Sequence, residues 1–361
     1  MSITTRKTAL SGLALAAVSS MLLAGCSAAP EQNNGSKSPA ASNFIPCMVS
    51  DTGGFDDNSF NEIGKQGLDD AAKQLGTKAN AVESQAETDY ASNINNLVDQ
   101  GCGIIVTVGF LLADATKTAA TANPDVNFAI IDDNSITLPN VKPIVFDTAQ
   151  AAFLAGYAAA SYSKTGIVGT YGGIPIPPVT IFMDGFVDGV NYYNSVKGTS
   201  VKALGWDVAT QTGAFTGGFE ANDTAKSTAK NLLDQGVDVL LPVGGPIYKS
   251  GAEAIRDSGK DIALIGVDAD VYNTDPSVKD LLLTSIMKAM QVGVKDVVIG
   301  ASKGDFDNTP FVGTLKNGGV DIAPFHDFAS KVNPDLQGEL DALKADIISG
   351  KVKVESPSSP K

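Results

Sequence analysis

Short apolar runs alternate with longer amphipathic segments along the chain from residue 44 onward. An uninterrupted run of about four to eight apolar residues is typical of a buried strand, whereas apolar residues recurring with the helical period are typical of a helix. The pattern predicts strands over 45–50, 104–108, 127–131, 143–146, 166–170, 201–208, 237–243, 262–267 and 282–286. It predicts helices over 59–75, 90–100, 111–122, 150–162, 182–195, 223–235, 247–258 and 288–302. Such alternation predicts an α/β protein with parallel, Rossmann-like sheets flanked by helices.

A fourteen-residue segment occurs twice in this pattern. Residues 96–109 read NLVDQGCGIIVTVG and residues 231–244 read NLLDQGVDVLLPVG, with seven of fourteen positions identical. Each copy has the form of a helix end, a glycine stop and a buried strand. Apolar strands that end in Asp132 and Asp268 follow the two copies at nearly the same spacing. The duplication predicts two similar lobes that face each other across a cleft.

The order of the elements suggests the extent of each lobe. We assign 44–164 and 276–307 to lobe 1, and 165–275 and 308–361 to lobe 2. In this assignment the strand and helix within 276–307 return to lobe 1. The chain should therefore pass between the lobes more than once, and such linkers form a hinge.

The first 43 residues predict export and attachment to a membrane. Arg6 and Lys7 precede an apolar run that ends in Leu23-Ala-Gly-Cys26, which is typical of a lipoprotein signal peptide over 1–25. We expect cleavage before Cys26 and attachment of acyl chains to it. Residues 26–43 are rich in Ser, Ala, Pro, Asn and Gly and read as a tether. The mature protein should lie on the extracytoplasmic face of the cell membrane.

The net charge of the chain argues against some kinds of binding partner. The full chain has 26 cationic and 40 acidic side chains, and the predicted signal peptide contains two of the cations, which leaves 24 against 40, or −16. Such a surface disfavours nucleic acid and anionic lipid, so the membrane link should be lipid on Cys26 and not a basic patch. No other apolar stretch is long enough for a second span. We expect a monomer.

Two cysteines remain after Cys26 is acylated. Cys47 and Cys102 each lie near the start of a predicted strand of lobe 1. In an exported protein such a pair forms either a structural disulfide or two buried free thiols, and the sequence leaves both open.

Residues that end predicted strands are the candidates for a binding site, because ligands of open parallel sheets bind beyond the carboxyl ends of the strands. These residues are Asp51, Gly109, Asp132, Gly244, Asp268 and Lys288. A lone aspartate there is usually a helix cap or a turn residue. Asp132 and Asp268, however, occupy matching places in the duplication and should lie on opposite walls of one cleft. Paired carboxylates can accept hydrogen bonds from the vicinal hydroxyls of a sugar.

Several motifs resemble the basic membrane protein (BMP) family across nearly the whole chain after the tether. They are DTGGFDDNSFN at 51–61, VGF at 108–110, FAIID at 128–132, FLAG at 153–156, GVD at 266–268 and SIMK at 285–288. Members of this family are lipid-anchored substrate-binding proteins of ABC transporters that bind purine and other nucleosides. The resemblance implies a two-lobed type I periplasmic-binding-protein fold, capture of a nucleoside with a purine base expected, and an ABC permease as partner. It implies no catalysis and no cofactor.

The resemblance also implies roles for residues of the site. Phe60 corresponds to one of two rings that sandwich the base, with Asp51 and Asn61 as polar neighbours. Asp268 and Lys288 correspond to ribose ligands. The second ring corresponds to Phe215 or to its neighbour Phe219, because an insertion in this region leaves both open. By pattern alone, Phe182, Phe186 and Trp206 read as core residues.

Other classes of function find less support. The one histidine, His326, lies far from the motifs in sequence, and no nucleophile elbow is present, which disfavours a catalytic triad. The segment GGPIYKS at 244–250 lacks the second glycine of a phosphate loop, and the cysteines and His326 lack zinc spacing. A sugar- or signal-binding lipoprotein of the same fold is the main alternative. A nucleoside hydrolase using Asp56 and Asp57 is a weaker one, because adjacent side chains usually point apart.

Overall fold

Two six-stranded sheets organise residues 43–360, the part of the chain that the computed structural model describes. The first sheet contains β1 (Pro46–Val49), β2 (Asn80–Val82), β3 (Ile104–Val108), β4 (Asn127–Ile131), β5 (Val141–Phe146) and β13 (Phe311–Gly313), all parallel. The second contains β6 (Ile167–Gly172), β7 (Lys202–Leu204), β10 (Val239–Val243), β11 (Ala263–Asp268), β12 (Leu282–Lys288) and the antiparallel β14 (Val320–Ile322). A hairpin of β8 (Trp206–Asp207) and β9 (Thr212–Gly213) follows β7.

Helices pack on these sheets. They are α1 (Phe60–Leu75), α2 (Tyr90–Asp99), α3 (Ala113–Ala122), α4 (Ala149–Tyr162), α5 (Pro177–Lys197), α6 (Asp223–Leu233), α7 (Ile247–Ser258), α8 (Val271–Thr274), α9 (Met290–Ser302) and α10 (Leu336–Ile348). Amphipathic helices such as α1 and α7 turn their apolar residues toward a sheet. Strands β1, β3, β10 and β11 are buried along their whole length, as expected for parallel strands covered on both faces.

The two sheets have the same strand order, which confirms the predicted duplication. In the first sheet the order is β2-β1-β3-β4-β5-β13, and in the second it is β7-β6-β10-β11-β12-β14. The two copies of the repeated segment fall on the end of α2 with β3 and on the end of α6 with β10. Equivalent strands therefore place Asp132 and Asp268 at equivalent positions, directly after β4 and at the end of β11.

The chain passes between the lobes three times, and the predicted lobe boundaries need correction. Helix α4 follows β5 but packs on α5, α10 and the second sheet. Strand β12 pairs with β11 in lobe 2, whereas the next helix, α9, packs on α1 in lobe 1. Strand β13 then pairs with β5 in lobe 1 before β14 returns to lobe 2. The assignment of 44–164 to lobe 1 was thus wrong for α4, and the assignment of 276–307 to lobe 1 and of 308–361 to lobe 2 was wrong for β12 and β13. The apolar pattern identifies a buried strand but does not identify the sheet in which it pairs.

Helix α4 is fixed to lobe 2 by close backbone contact with α5. A Cβ atom added at Gly156 would lie 2.0 Å from the carbonyl oxygen of Phe186, and one at Gly189 would lie 2.0 Å from that of Phe153. Only glycine allows two helices to approach so closely. The first linker therefore leads directly into a rigid helix pair.

A disulfide joins Cys47 of β1 to Cys102, which precedes β3, with 5.9 Å between the Cα atoms. Of the two alternatives that the sequence left open, the structure has the bridge. It lies toward the amino ends of the strands, on the side of the sheet away from the cleft. Its role is therefore structural.

Local differences from the sequence prediction have simple causes. The predicted strand 201–208 is broken at Gly205, whose φ of +92° redirects the chain into the β8–β9 hairpin. The pattern missed β2, β13 and β14, because these strands are only three residues long and lie at the edges of the sheets. It also missed the helix α10. None of the helices within 43–360 is both long and apolar enough to span a membrane. The predicted signal peptide, Cys26 and the tether up to residue 42 lie outside the described residues.

Candidate functional site

The carboxyl ends of both sheets line one cavity between the lobes. Eight of the nine ligand-binding residues predicted from the sequence line it, namely Asp51, Phe60, Asn61, Asp132, Phe219, Gly244, Asp268 and Lys288. The exception is Phe215. The cavity therefore brings together residues that are distant in sequence but lie near the carboxyl ends of the two sheets.

Lys288 connects the two lobes at one end of this cavity. Its Nζ lies 2.6 Å from Oδ2 of Asp132 in lobe 1 and 3.0 Å from Oδ1 of Asp268 in lobe 2. The lysine side chain is 2% exposed, and the two carboxylates are 8% and 6% exposed. A buried charge is tolerated when it is paired in this way. With both carboxylates ionised the group carries a net negative charge, which suits ligand hydroxyl donors.

Both carboxylates of this group belong to residues with left-handed backbone. The φ angles are +64° at Asp132 and +68° at Asp268, a conformation that costs free energy for a residue with a side chain. Such conformations persist where the surrounding structure imposes them, often at functional sites. Because the two strained residues occupy equivalent positions in the two lobes, the strain is part of the repeated design and directs both carboxylates toward Lys288.

Burial and pairing oppose each other in setting the ionisation of this group. Burial disfavours the charged ammonium of Lys288, but Asp132 and Asp268 outweigh it and raise the pKa of the lysine above its usual value. Burial also raises the pKa of Asp132, and the neighbouring Lys288 offsets part of this rise. The lysine therefore remains charged at neutral pH.

The start of α1 brings a second polar group to the cavity. The carboxylate of Asp57 accepts hydrogen bonds from the backbone N–H groups of Ser59, Asn61 and Glu62. Asp57 thus caps the helix. The spacing of Ser59 and Glu62 is that of a capping box, but the Ser59 side chain makes no capping hydrogen bond. The Ser59 hydroxyl instead donates to the carbonyl oxygen of Val267 in lobe 2 at 2.9 Å. The sequence around Ser59 does not reveal this contact between the lobes, because its partner lies 208 residues away.

Asn61 is held in one orientation by two carboxylates. Its Nδ2 donates to Oδ1 of Asp51 at 2.8 Å and to Oδ2 of Asp57 at 3.2 Å. Its Oδ1 is buried and has no hydrogen-bond donor among the described residues. Burial, with smaller contributions from the charges of Asp57 and Asp268, raises the pKa of Asp51 to about 6. The N–H of Gly53 and the Asn61 amide lower it in part.

Two rings from different lobes occupy equivalent places in the cavity. Phe60 approaches Gly109, which directly follows β3 and where an added Cβ would lie 3.4 Å from the ring. Phe219 packs on Gly244, which directly follows the equivalent strand β10 and where an added Cβ would lie 2.6 Å from the ring. Both glycines have positive φ, +111° and +139°. The glycine that ends each copy of the repeat therefore leaves space for an aromatic ring.

Phe215 lies outside the residues that line the cavity. Its ring packs edge-on against Trp206 at 5.9 Å, and its backbone bridges to Gly172. The glycine pair Gly217–Gly218 carries the chain onward, so that Phe219 and not Phe215 reaches the cavity. Trp206 is buried and donates from Nε1 to Asp184, which agrees with its predicted structural role.

The sequence analysis missed some residues of the cavity. Phe182 was predicted to be core, yet it lines the cavity as well as being buried. Its helical spacing gives no sign of this second role. Phe110 and Pro178 also line the cavity. His326, which is remote in sequence, contacts Asp270 at 2.9 Å, two residues after Asp268, but it is not among the lining residues.

The chemistry of the cavity is that of binding. It offers aromatic faces, carboxylate and amide acceptors, and one ammonium group. Within residues 43–360, no group of three or more His, Cys, Asp or Glu side chains is arranged to hold a metal ion.

Comparison with known proteins supports this description. Residues 44–357 match the Bmp family, described as ABC transporter substrate-binding protein PnrA-like. The chain is 30% identical to the ABC transporter nucleoside-binding protein BmpA of Lactococcus lactis, over 97% of this chain and 99% of that protein. It is 30% identical to basic membrane protein A of Borreliella burgdorferi, over 84% and 86%.

Solved structures agree on the fold. A solute-binding protein of an ABC transporter system from Aeropyrum pernix is similar with a TM-score of 0.76 and 27% identity, over 87% of this chain and 94% of that one. A dimeric Lac repressor is similar with a TM-score of 0.54 and 14% identity, over 78% and 97%, which concerns the fold alone. The predicted type I periplasmic-binding-protein fold is confirmed. The chain belongs to the Bmp family of PnrA-like substrate-binding proteins of ABC transporters, and it is a binding protein and not an enzyme.

Proposed function

We propose that the cavity binds nucleosides, with purine nucleosides preferred, and that the protein delivers them to an ABC permease. The observation that carries this proposal is the pair of rings from different lobes, Phe60 and Phe219, in one cavity with the Lys288 ion group. Two aromatic faces suit a flat base, and stacking on such faces contributes about 1–3 kcal/mol per base. The nucleoside-binding relative from Lactococcus lactis supports the same assignment.

The ribose is expected at Lys288. Asp132 and Asp268 can accept hydrogen bonds from vicinal hydroxyl groups, and Lys288 can donate to a ribose oxygen. A free base would lack these contacts. A free sugar would lack the stacking. The combination therefore favours a ligand that has both parts.

The base is expected beside Asp51 and Asn61. The Oδ1 atom of Asn61 is a buried acceptor that a ligand N–H would satisfy. Leaving such an acceptor unpaired costs about 1–3 kcal/mol, so a base with N–H donors on this edge is favoured. Purines that present an amino group or a ring N–H meet this requirement.

The charge of the cavity favours nucleosides over nucleotides. Lys288 is the one lysine or arginine among the described residues that line it, against the four aspartates Asp51, Asp57, Asp132 and Asp268. A phosphate group would bring a charge of about −1.5 to −2 into a cavity that already contains four carboxyl groups and one ammonium group. Nucleoside monophosphates should therefore bind much more weakly than nucleosides.

The place of action follows from the amino-terminal segment. We infer that Cys26 carries lipid and holds the protein at the extracytoplasmic face of the membrane, next to the permease. The basic membrane proteins among its relatives are consistent with a membrane association. A Cys26→Ser variant found as mature-sized protein in the membrane fraction would contradict this inference.

Titration calorimetry with guanosine, adenosine, uridine, adenine, ribose and guanosine monophosphate tests the ligand. Nucleosides should bind, with the purines tightest, and adenine, ribose and the monophosphate should bind poorly. Strong binding of ribose alone would favour a sugar-binding protein. Identification by mass spectrometry of a non-nucleoside released by denaturant, together with no nucleoside titration, would refute the proposal.

A further inference from the structure

Three aromatic rings surround the ammonium group of Lys288. Its Nζ lies 4.7 Å from the ring centroid of Phe60, 5.4 Å from that of Phe182 and 5.7 Å from that of Phe146. All three distances are within the range of about 6 Å for a cation–π contact. We call Phe60, Phe146 and Phe182 the three-ring cage.

The cage is built from both lobes. Phe60 begins α1 and Phe146 ends β5, both in lobe 1, whereas Phe182 lies on α5 in lobe 2. Phe146 and Phe182 are 3% and 2% exposed. Phe146 does not line the ligand cavity, so its contact with the site is through Lys288.

A lysine needs such support to act as a fixed ligand. Its ammonium group is carried on a flexible four-carbon stem and has three N–H donors. Asp132 accepts a hydrogen bond from this group and Asp268 forms an ion pair with it at 3.0 Å, which leaves donor capacity for a ligand oxygen. Burial disfavours the charge, and rings that present their negative faces reduce that cost without consuming a donor. The rings therefore fix the ammonium between the carboxylates while keeping a donor free.

We propose that Phe146 and Phe182 are positioning residues that hold Lys288 for the ribose, and that they determine how strongly the site prefers a nucleoside to its free base. This inference rests on the proposed nucleoside function. Phe146 meets the site only through Lys288, so its effect should depend on that lysine and on the ribose of the ligand. Phe182 also lines the cavity, and the dependence of its effect on Lys288 separates positioning from direct contact with the ligand.

The test compares Phe146→Leu and Phe182→Leu with matched controls. Phe128→Leu and Phe186→Leu change phenylalanines that are fully buried, the first in the same sheet as Phe146 and the second one turn along the same helix as Phe182. Calorimetry should show nucleoside binding weakened about 2- to 30-fold in the cage variants, the range for loss of one cation–π contact. The free base has no ribose for Lys288 to bind. Its binding should therefore change by less than about 2-fold, the lower limit of that range. The controls should leave the ratio of the two affinities unchanged.

Two further measurements separate positioning from general packing. In a Lys288→Met background the cage substitutions should have no further effect on the ratio of affinities. The εCH₂ protons of Lys288, identified by loss of their signal in Lys288→Met, should be shifted by the rings and should move toward the ordinary lysine position in Phe146→Leu. If the leucine variants do not fold, 3,5-difluorophenylalanine at 146 or 182 weakens the ring face while keeping its shape.

The outcomes are distinct. If the parent protein binds no nucleoside, the proposed function fails, while the proton shifts still decide whether the cage holds Lys288. If the parent binds nucleosides but the cage variants behave like Phe128→Leu and Phe186→Leu, the cage proposal fails alone. Equal losses for nucleoside and free base would also overturn it.

Discussion

Single residues at this site have roles that their neighbours in sequence do not reveal. Asp132 and Asp268 could be identified from the duplication, because both end equivalent strands. Phe182 could not, because a phenylalanine at helical spacing has the same pattern whether it faces core or cavity. Phe219 was one of two alternatives, and only the path of the chain after Gly217 distinguishes it from Phe215. Long-range geometry decides each of these cases.

The two rings give a prediction at this scale. Phe60→Ala and Phe219→Ala each remove one stacking face and should weaken binding of every nucleoside by about 1–3 kcal/mol, with little change in the order of bases. Phe215→Ala is the matched control, because its ring packs on Trp206 outside the cavity. Calorimetry with guanosine, adenosine and uridine measures the effect. A larger loss for Phe215→Ala than for Phe219→Ala would assign the second ring to Phe215 instead.

The raised pKa of Asp51 gives a second prediction. Its carboxyl has a pKa of about 6 in the folded protein against 3.8 as its ordinary value. Between these values the folded state keeps the proton that the unfolded state has lost, so the free energy of unfolding should fall as pH rises from about 4 to about 6. The full difference would amount to about 3 kcal/mol. Asp51→Asn should remove the contribution of Asp51 to this fall, because the amide does not titrate. Asp188, whose pKa is also raised to about 6 by burial, continues to contribute.

Urea unfolding from pH 4 to pH 7 measures this dependence. Asp56→Asn, which changes an exposed neighbour, is the control and should keep the slope of the parent. If Asp51→Asn and the parent lose stability equally over this interval, Asp51 is not the group responsible.

At the scale of elements, periodicity identified most helices and strands but not their partners. Strand β12 has the apolar run of any buried strand, and its place beside β11 depends on residues far along the chain. The hairpin after β7 forms a two-stranded sheet of its own, and the short strands β13 and β14 lie at the edges of the two large sheets, where few apolar residues mark a strand. Local pattern therefore predicted the elements of each lobe better than the boundary between the lobes.

Close packing of α4 on α5 gives a prediction about these helices. Gly156→Ala would place a methyl group 2.0 Å from the Phe186 carbonyl oxygen, so the helices must separate, and we expect a loss of about 1–3 kcal/mol in stability. Gly338→Ala in α10 is the control, since nothing lies within 4 Å of its added Cβ. That control should be stabilised by about 0.4–1 kcal/mol. Equal thermal shifts for the two variants would show that backbone propensity, and not helix contact, dominates at Gly156.

At the scale of the whole molecule, three linkers connect two lobes that also touch across the cleft. Lys288 reaches Asp132, Ser59 reaches Val267, and the Thr274 hydroxyl donates to the carbonyl oxygen of Asn58 at 2.6 Å. A ligand held by both lobes favours the conformation in which such contacts form. Closure around the ligand is then the change that a permease can recognise.

The contact between Thr274 and Asn58 allows closure to be tested apart from ligand contact, because Thr274 does not line the cavity. Thr274→Val keeps the shape of the side chain but removes the hydrogen bond between the lobes, whose net worth is about 0.5–1.5 kcal/mol. Nucleoside affinity should fall by a corresponding factor of about 2 to 13, mainly through faster dissociation.

The matched control is Thr284→Val, which removes a hydrogen bond of the same length, 2.6 Å to the carbonyl oxygen of Ala323, but within lobe 2. It should lower thermal stability and leave affinity nearly unchanged. Calorimetry gives the affinities, and small-angle scattering with and without guanosine should show contraction in the parent and both variants, incomplete in Thr274→Val at the same ligand concentration. If Thr274→Val and Thr284→Val affect affinity equally, the contact between the lobes contributes no more to binding than ordinary packing within one of them.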